Sequence, residues 1–229
     1  KVITTTNSLK KKYINYGIKK DKIHILHNAS SLKSKFKKYS KSKKKLNIGY
    51  FGSIYKSRGI EMILNISKND IQNNYFVYGG SSKQITNLKK QIKNKNIHFF
   101  SHIPYSRVYK KLLKIDLCIL PYTSKITVAG NVGNISNYTS PLKLFDYMKL
   151  GKLILCSNLK VLREILKHNQ NSILIKNFTE EKSWLHKITE ISRNFKKYDK
   201  IRKSAYEYAK VHDINWRTSK LLSFYKFSN

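Results

Sequence analysis

Short apolar runs alternate along almost the whole chain with longer stretches in which apolar residues recur every three or four positions. The runs at 2–5, 23–26, 46–52, 75–79, 97–99, 117–120, 153–156 and 173–175 are rich in β-branched and aromatic residues and are bounded by turn formers, which predicts strands. Helical spacing predicts helices near 8–16, 59–68, 82–94, 106–114, 142–150, 160–168 and 180–194, with two more near 197–211 and 215–227. Strictly alternating strands and helices form an α/β parallel sheet covered by helices. The stretch 31–45 has neither period and is expected to be a lysine-rich linker, so 1–30 is the tail of one unit and 46 onward is a complete second one.

Ligands of such a sheet bind beyond the carboxyl ends of the strands, so the strand exits carry the candidate chemistry. The densest signal is SPLKLFDYMKLG at 140–151. Ser140 is a good N-cap and Pro141 suits the first helical position; the free amides of Leu142, Lys143 and Leu144, with the Lys143 ammonium, then make a site for phosphate. The helix body is apolar on nearly every face and is expected to be buried. Asp146 is its exception, a carboxylate that needs a partner, and a ligand's hydroxyls would serve.

Three other exits add weaker signals. In GYFGSIYKSRGI, Gly52 allows close approach of a ligand, Ser53 offers a hydroxyl, and Lys56 and Arg58 bring cations to a helix start at Gly59. FVYGGSSKQI places Gly79 and Gly80 after a strand, with Ser81 or Ser82 as a cap, and lacks the full dinucleotide spacing. In HFFSHIPYSRVYKKL a helix starts at Pro104 or Ser106, and the backbone near His102 and Ile103 can face a flat base.

The formal net charge of +35 points first to nucleic acid. The composition argues otherwise. The chain has 41 Lys and only 6 Arg, alongside 27 Ile and 21 Asn, a bias that A/T-rich codons produce without selection; direct base readers depend on the planar guanidinium fork. Nucleic acid is therefore not an expected partner. Peripheral contact with an anionic membrane surface stays open through the eight lysines from Lys33 to Lys45, although a solvated linker is the favoured explanation of that run. No apolar run is long enough to span a bilayer. Cys118 and Cys156 each lie in an apolar run and are expected to be reduced and buried, as in a cytoplasmic protein. The seven histidines show no ligand spacing, so no metal site is expected. The chain opens on Lys1 and reads as a strand from Val2, so a truncated N-terminus is expected.

The order of these pieces resembles the C-terminal half of a family 4 glycosyltransferase of the GT-B fold, a retaining enzyme that uses nucleotide-sugar donors. The resembling blocks are VITTTNSLKKKYINYGIKKDKIHILHN, IGYFGSIYKSRGIEMI, VYGG, HFFSHIPYSRVYKKLLKIDLCILPY and SPLKLFDYMKLGKLILCSNLKVLREIL, which cover nearly the whole chain. The resemblance implies a Rossmann-like parallel sheet at 46–214 that binds the nucleotide sugar. It also implies that 1–30 is the tail of a largely missing N-terminal acceptor domain, and that 215–229 is a helix returning to that domain through Trp216, Leu221 and Phe224. It puts Ser53 and Arg58 at the donor diphosphate, Ile103 in the loop that holds the base, and Asp146 on the second acid of the E-x7-E motif, which binds ribose. The first acid of that motif falls at Tyr138 and is absent; family members with the SPLK block look similar and also lack it.

On this reading Arg58 and Lys143 are catalytic, stabilising the leaving diphosphate without a metal or cofactor, and Gly52, Ser53, Lys56, Gly79, Ile103, Ser140, Leu142 and Asp146 bind the donor. Glu164 is read as a surface acid of the helix near 160–168 in preference to a brace for the donor pocket. The acceptor is a sugar, lipid-linked or glycan molecule, in the synthesis of surface polysaccharide or lipopolysaccharide at the inner face of the membrane, and the fragment alone is expected to bind donor without turnover. The alternatives are a non-enzymatic basic binder of nucleic acid or anionic membrane, and, behind it, a GT-B epimerase of UDP-N-acetylglucosamine, to which the SPLK block does not belong.

Overall fold

The computed structural model describes residues 1–39, 45–127 and 133–226; the middle of the lysine run therefore lies outside the described residues. Six parallel strands form the main sheet: β3 (Asn47–Phe51), β4 (Asn74–Gly80), β5 (Ile97–Ser101), β6 (Leu117–Leu120), β7 (Leu153–Ser157) and β8 (Ile173–Ile175). Their order is β5-β4-β3-β6-β7-β8, the doubly wound arrangement in which chain direction across the sheet reverses between β3 and β6. Continuous apolar runs such as LCIL in β6 and LILCS in β7 are buried at every position, because helices cover both faces. The expected Rossmann-like sheet is thus present.

The covering helices are α2 (Ile60–Asn69), α3 (Ser82–Gln91), α4 (Tyr105–Leu112), α5 (Leu142–Lys149), α6 (Glu181–Arg193) and α7 (Asp199–Val211). Helix α2 buries Ile60, Ile63, Leu64 and Ile66, one stripe at helical spacing. A capping box starts α3, with Ser81 accepting from the Gln84 amide and the Gln84 side chain accepting from the Ser81 amide.

The N-terminal residues form a small separate βαβ unit. Strands β1 (Val2–Thr4) and β2 (Ile23–Ile25) pair in parallel around α1 (Asn7–Asn15), which Thr6 caps through the Leu9 amide. Helix α8 (Ile214–Lys226) lies against this unit: Phe224 stacks on His24 at 4.4 Å between ring centroids, and Arg217 donates from Nε to the His27 carbonyl at 3.1 Å. Trp216 instead meets the His212 ring edge-on, at 4.7 Å. Residues 31–39 are irregular, as a linker should be, yet they are tied down. The Lys37 carbonyl accepts from Arg202, the Ser34 carbonyl accepts from the Tyr206 hydroxyl, and Phe36 packs against Tyr206.

The helix expected near 160–168 is absent and a single 3-10 turn, Leu162–Glu164, takes its place. Local side chains outcompete the helix for its backbone groups. Asn171 donates to the Ile165 carbonyl and accepts from the Lys167 amide, His168 accepts from the Leu174 amide, and Asn169 takes a left-handed φ of 58°.

Where β3 and β6 pair, only Ile48↔Leu117 and Gly49↔Cys118 are in register, whereas β3 stays paired with β4 through Phe51↔Tyr78. The sheet therefore splits at its carboxyl edge, at the switch point. Gly59 sits at the start of α2 with φ 80°, and a β-carbon there would fall 1.8 Å from the Pro121 carbonyl oxygen at the end of β6. The split is thus held at a fixed width by backbone-to-backbone contact. Gly59→Ala is expected to cost more than about 2 kcal/mol from the left-handed backbone and the overlap together, a fall in Tm of roughly 4–8 °C. A melting curve that moves less than about 1 °C would show that the contact is soft.

Candidate functional site

Two clusters of polar side chains face the split edge. The first lies at the exit of β3. Gly52 has φ 145° and donates its amide to the Tyr78 carbonyl at 2.8 Å, and Gly79, at φ 120°, abuts the Gly52 carbonyl so closely that a β-carbon on it would lie 2.4 Å from that oxygen. The Lys143 ammonium fills the space beside Gly52, where a β-carbon would fall 2.1 Å from Nζ. It stands 4.5 Å from the centroid of the Tyr50 ring and 5.5 Å from that of Tyr122, while the Arg58 guanidinium lies 5.2 Å from the same Tyr122 ring. These contacts are cation–π in kind. Ser53 contributes its carbonyl, which accepts from the Tyr50 hydroxyl at 2.8 Å.

No described carboxylate pairs with Lys143. Burial, reinforced by the Arg58 charge, lowers its pKa to about 7. Burial also raises the Tyr122 phenol to about 12, with Arg58 opposing. Lys56, expected to join these cations, turns away: its ammonium is exposed and pairs with Glu61 at 3.3 Å. A separate cavity of about 520 Å³ opens there, lined by Lys56, Ser57, Glu61, Tyr122, Thr123 and Phe178 among others, and it does not include Lys143 or Asp146.

The second cluster surrounds the start of α5. Ser140 does not cap this helix. Pro141 holds the cap position and the Leu144 amide bonds its carbonyl at 3.1 Å, because the Ser140 hydroxyl and carbonyl are both taken by the Asn28 side-chain amide, at 3.1 and 2.8 Å. The Leu142 and Lys143 amides bond no described residue, so the free N–H groups of the helix start are real. Leu142 was expected to be buried with the rest of the helix and is 63% exposed, whereas Leu144 through Lys149 are buried.

Asp146 is 5% exposed and its partners are protein hydroxyls. Ser30 donates to Oδ1 at 2.6 Å and the Tyr105 phenol donates to the same oxygen at 2.9 Å. Burial raises its pKa and the two hydrogen bonds pull it back. Ile103, two residues before Tyr105, is half-buried at the edge of the core, and the neighbouring His102 amide bonds the Gly80 carbonyl. Glu164 is not a surface acid: its Oε2 accepts from the Asn7 amide at 2.7 Å and from the Asn7 side chain at 3.0 Å, and Oε1 accepts from the Ser8 amide at 3.4 Å. It supplies negative charge at the N-terminus of α1 and ties that helix to the main domain. At Tyr138, where an acid is missing from the resembled motif, the Lys12 ammonium stands 4.9 Å from the ring centroid.

The structure thus joins Gly52, Ser53, Gly79, Arg58 and Lys143 in one cluster and Ser140, Leu142 and Asp146 in another, with Ile103 beside the second and Lys56 outside both. Sequence reasoning missed Tyr50, Tyr122, Ser30, Asn28 and Tyr105. The two tyrosines of the first cluster lie at the exits of the strands that flank the switch point, which is the one signal that could have singled them out.

A parallel doubly wound sheet with cations and free helix amides at its switch point is an arrangement suited to phosphate-bearing ligands. Residues 32–208 match the family model described as Glycosyl transferases group 1, and the chain belongs to that family. No curated protein matches the sequence. Among solved structures, the fold is similar to that of HepE from Anabaena, in complex with UDP and glucose, at TM-score 0.73 and 15% identity over 98% of this chain and 62% of that one. Sucrose-phosphate synthase from Thermosynechococcus elongatus superposes at TM-score 0.74 with 14% identity over 98% and 57% of the two chains. A TarM variant from S. aureus, in complex with fondaparinux, alpha-GlcNAc-glycerol and UDP, superposes at TM-score 0.72 with 14% identity over 97% and 43%. The chain spans between 43% and 62% of these proteins. Their shared sheet of GT-B type is the finding; the ligands are theirs.

The unpaired ammonium makes a testable demand. The unfolded chain keeps the Lys143 proton up to about 10.5 and the folded one releases it near 7, so the unfolded state binds more protons between those values and stability rises with pH across that window. Below the window both states are charged and the folded one bears the full desolvation cost. Lys143→Met is therefore expected to be more stable than wild type at about pH 6, by roughly 1–3 kcal/mol, with the advantage closing towards about pH 10. Denaturant unfolding at several pH values checks this; a difference independent of pH would show that the ammonium is not desolvated.

Proposed function

We propose that this chain is the donor-binding part of a retaining family 4 glycosyltransferase, which moves a sugar from a nucleoside diphosphate to a sugar, lipid-linked or glycan acceptor. The observation that carries the reading is the pair of cations on Tyr122, Arg58 and Lys143, gathered at the switch point beside free helix amides with no described carboxylate to neutralise Lys143. Such a pocket is unfavourable when empty and suits a diphosphate. As the bond from the anomeric carbon to the diphosphate oxygen breaks, charge grows on the leaving group, and these cations and the amides of Leu142 and Lys143 stabilise it more than the ground state. Neutralisation rests on these groups, with no metal ion invoked. Gly52, Ser53 and Gly79 let the backbone approach the phosphates, Ile103 and its loop meet the base, and Asp146 takes the ribose.

In the same reading residues 46–214 are the nucleotide-sugar domain, 1–30 belong to the acceptor domain, 31–45 link the two and 215–229 return to the first. Family membership and the partial span of its structural neighbours support an enzyme whose acceptor site lies mostly outside this chain, which alone binds donor and does not turn over. Surface polysaccharide or lipopolysaccharide synthesis in the cytoplasm, with lysines touching the anionic inner face of the membrane, is the setting we assign; no described helix is long and apolar enough to cross it.

Titration calorimetry with UDP, GDP and their sugars tests the reading. One of the two nucleotides is expected to bind, and Asp146→Ala to weaken it about tenfold while far-UV circular dichroism is unchanged. Because Lys143 is largely neutral at about pH 8 and becomes charged beside a diphosphate, binding at that pH is expected to take up close to one proton, read from the dependence of the heat on buffer ionisation. No binding of either nucleotide, or binding without proton uptake, contradicts this account.

A further inference from the structure

Asp146 is a carboxylate that already holds two hydroxyls. Ser30 Oγ and the Tyr105 phenol approach the same Oδ1 at 2.6 and 2.9 Å from different elements, one from the end of the N-terminal unit and the other from the first residue of α4. Two hydroxyl donors converging on a buried acid are what the vicinal 2′- and 3′-hydroxyls of a ribose present. The two donors differ in how firmly they are held. Ser30 Oγ also accepts from the Leu32 amide at 3.1 Å, and the Ser30 carbonyl accepts from the Ile214 amide, so this residue is fixed by its own backbone and by α8. Tyr105 is anchored by little. Its side chain is about half exposed, it opens the helix next to the loop of Ile103, and besides Asp146 its phenol meets only serine hydroxyls, Ser31 Oγ at 3.4 Å and that of Ser30, among the described residues.

Resting on the donor-site reading above, we infer that Tyr105 is a placeholder for the ribose: its phenol satisfies Asp146 while the site is empty and gives way to a ribose hydroxyl when a nucleotide binds, while Ser30 stays and keeps the carboxylate aimed. A buried carboxylate left without donors is costly, so an acid meant to meet a diol in a dry pocket needs a stand-in during the empty phase. The stand-in must also leave, and a half-exposed phenol whose oxygen is rehydrated on swinging out can do so at low cost. Tyr105 thereby sets donor affinity: a ribose hydroxyl that takes Oδ1 must displace it, and a ligand without ribose hydroxyls gains nothing from doing so.

The discriminating experiment measures binding of UDP and GDP, and of their 2′,3′-dideoxy forms, to the 229-residue chain and to Tyr105→Phe. The variant keeps the ring and loses only the hydrogen bond that competes with the ribose. Tyr105→Phe is expected to bind the ribonucleotide roughly three- to tenfold more tightly and to leave the dideoxy affinity unchanged. In Asp146→Ala the preference for ribose over dideoxyribose should disappear, and Tyr105→Phe added to it should have no effect. Ser30→Ala, a second variant that frees the carboxylate from its other side, should weaken the ribonucleotide, because it removes the group that aims the acid. If Tyr105→Phe lowers affinity, or shifts the ribose and dideoxyribose forms alike, the phenol contacts the bound ligand and the placeholder role is overturned while the donor-site reading stands. If neither UDP nor GDP binds the wild-type chain, both fall together.

Discussion

The donor edge depends on a cation packed where a side chain would otherwise be. Lys143 reaches across from the first turn of α5 to the exit of β3, and its ammonium occupies the volume that any residue but glycine would fill at position 52. The faces of Tyr50 and Tyr122 replace part of its lost hydration, and Arg58, over the same Tyr122 ring, adds repulsion. Two otherwise separate features meet at this packing: the positive φ of Gly52 and the abutment of Gly79 on the Gly52 carbonyl. A site built in this way carries electrostatic tension in its empty form, and an anion with two or three negative charges relieves it.

The N-terminal unit is attached to that edge at three points, each of which uses a polar group of the α5 region or of the turn after β7. Asn28 holds Ser140, Ser30 holds Asp146, and Glu164 supplies the negative end that α1 requires. Helix α8 closes the arrangement from outside through Arg217 and Phe224. The groups that would recognise a donor are therefore the same groups that hold the N-terminal unit in place. A ligand that takes Ser140 would compete with Asn28 for it, so occupancy there would be coupled to the seating of the N-terminal unit.

Strand positions were legible to within a residue or two, because runs such as LCIL and LILC are apolar throughout and have only one way to be buried in an α/β sheet. The helix near 160–168 was not: VLREILKH has helical spacing, and the hydrogen bonds that unmake it join Ile165 and His168 to Asn171 and Leu174, residues beyond it. The same limit applies at the site. Gly52, Lys143 and Asp146 were visible because each breaks a local pattern, a glycine after a strand or a charge within an apolar helix, whereas Arg58 stood out only through the family resemblance. Tyr105 and Ser30 break none; one opens an ordinary amphipathic helix and the other sits in a polar stretch. Their meeting at Asp146 spans 116 and 41 residues of sequence separation and is set by tertiary packing alone. Ser140 shows the converse failure, since a good capping residue was diverted by Asn28, a partner 112 residues away.

The excess of basic residues bears on the site less than its size suggests. Most lysines are exposed, where an ion pair contributes little and salt screens it within about a nanometre, so a net charge of +35 raises the local concentration of any polyanion without choosing among them. Choice requires desolvated charge at fixed geometry. Lys143 meets that condition, with Arg58 fixed beside it over the same Tyr122 ring; Lys56, three residues from a helix start and bound to Glu61, does not. On the proposed reading, substituting scattered surface lysines would slow association and flatten its salt dependence, whereas discrimination between a diphosphate and other anions would reside in two side chains and the helix amides beside them.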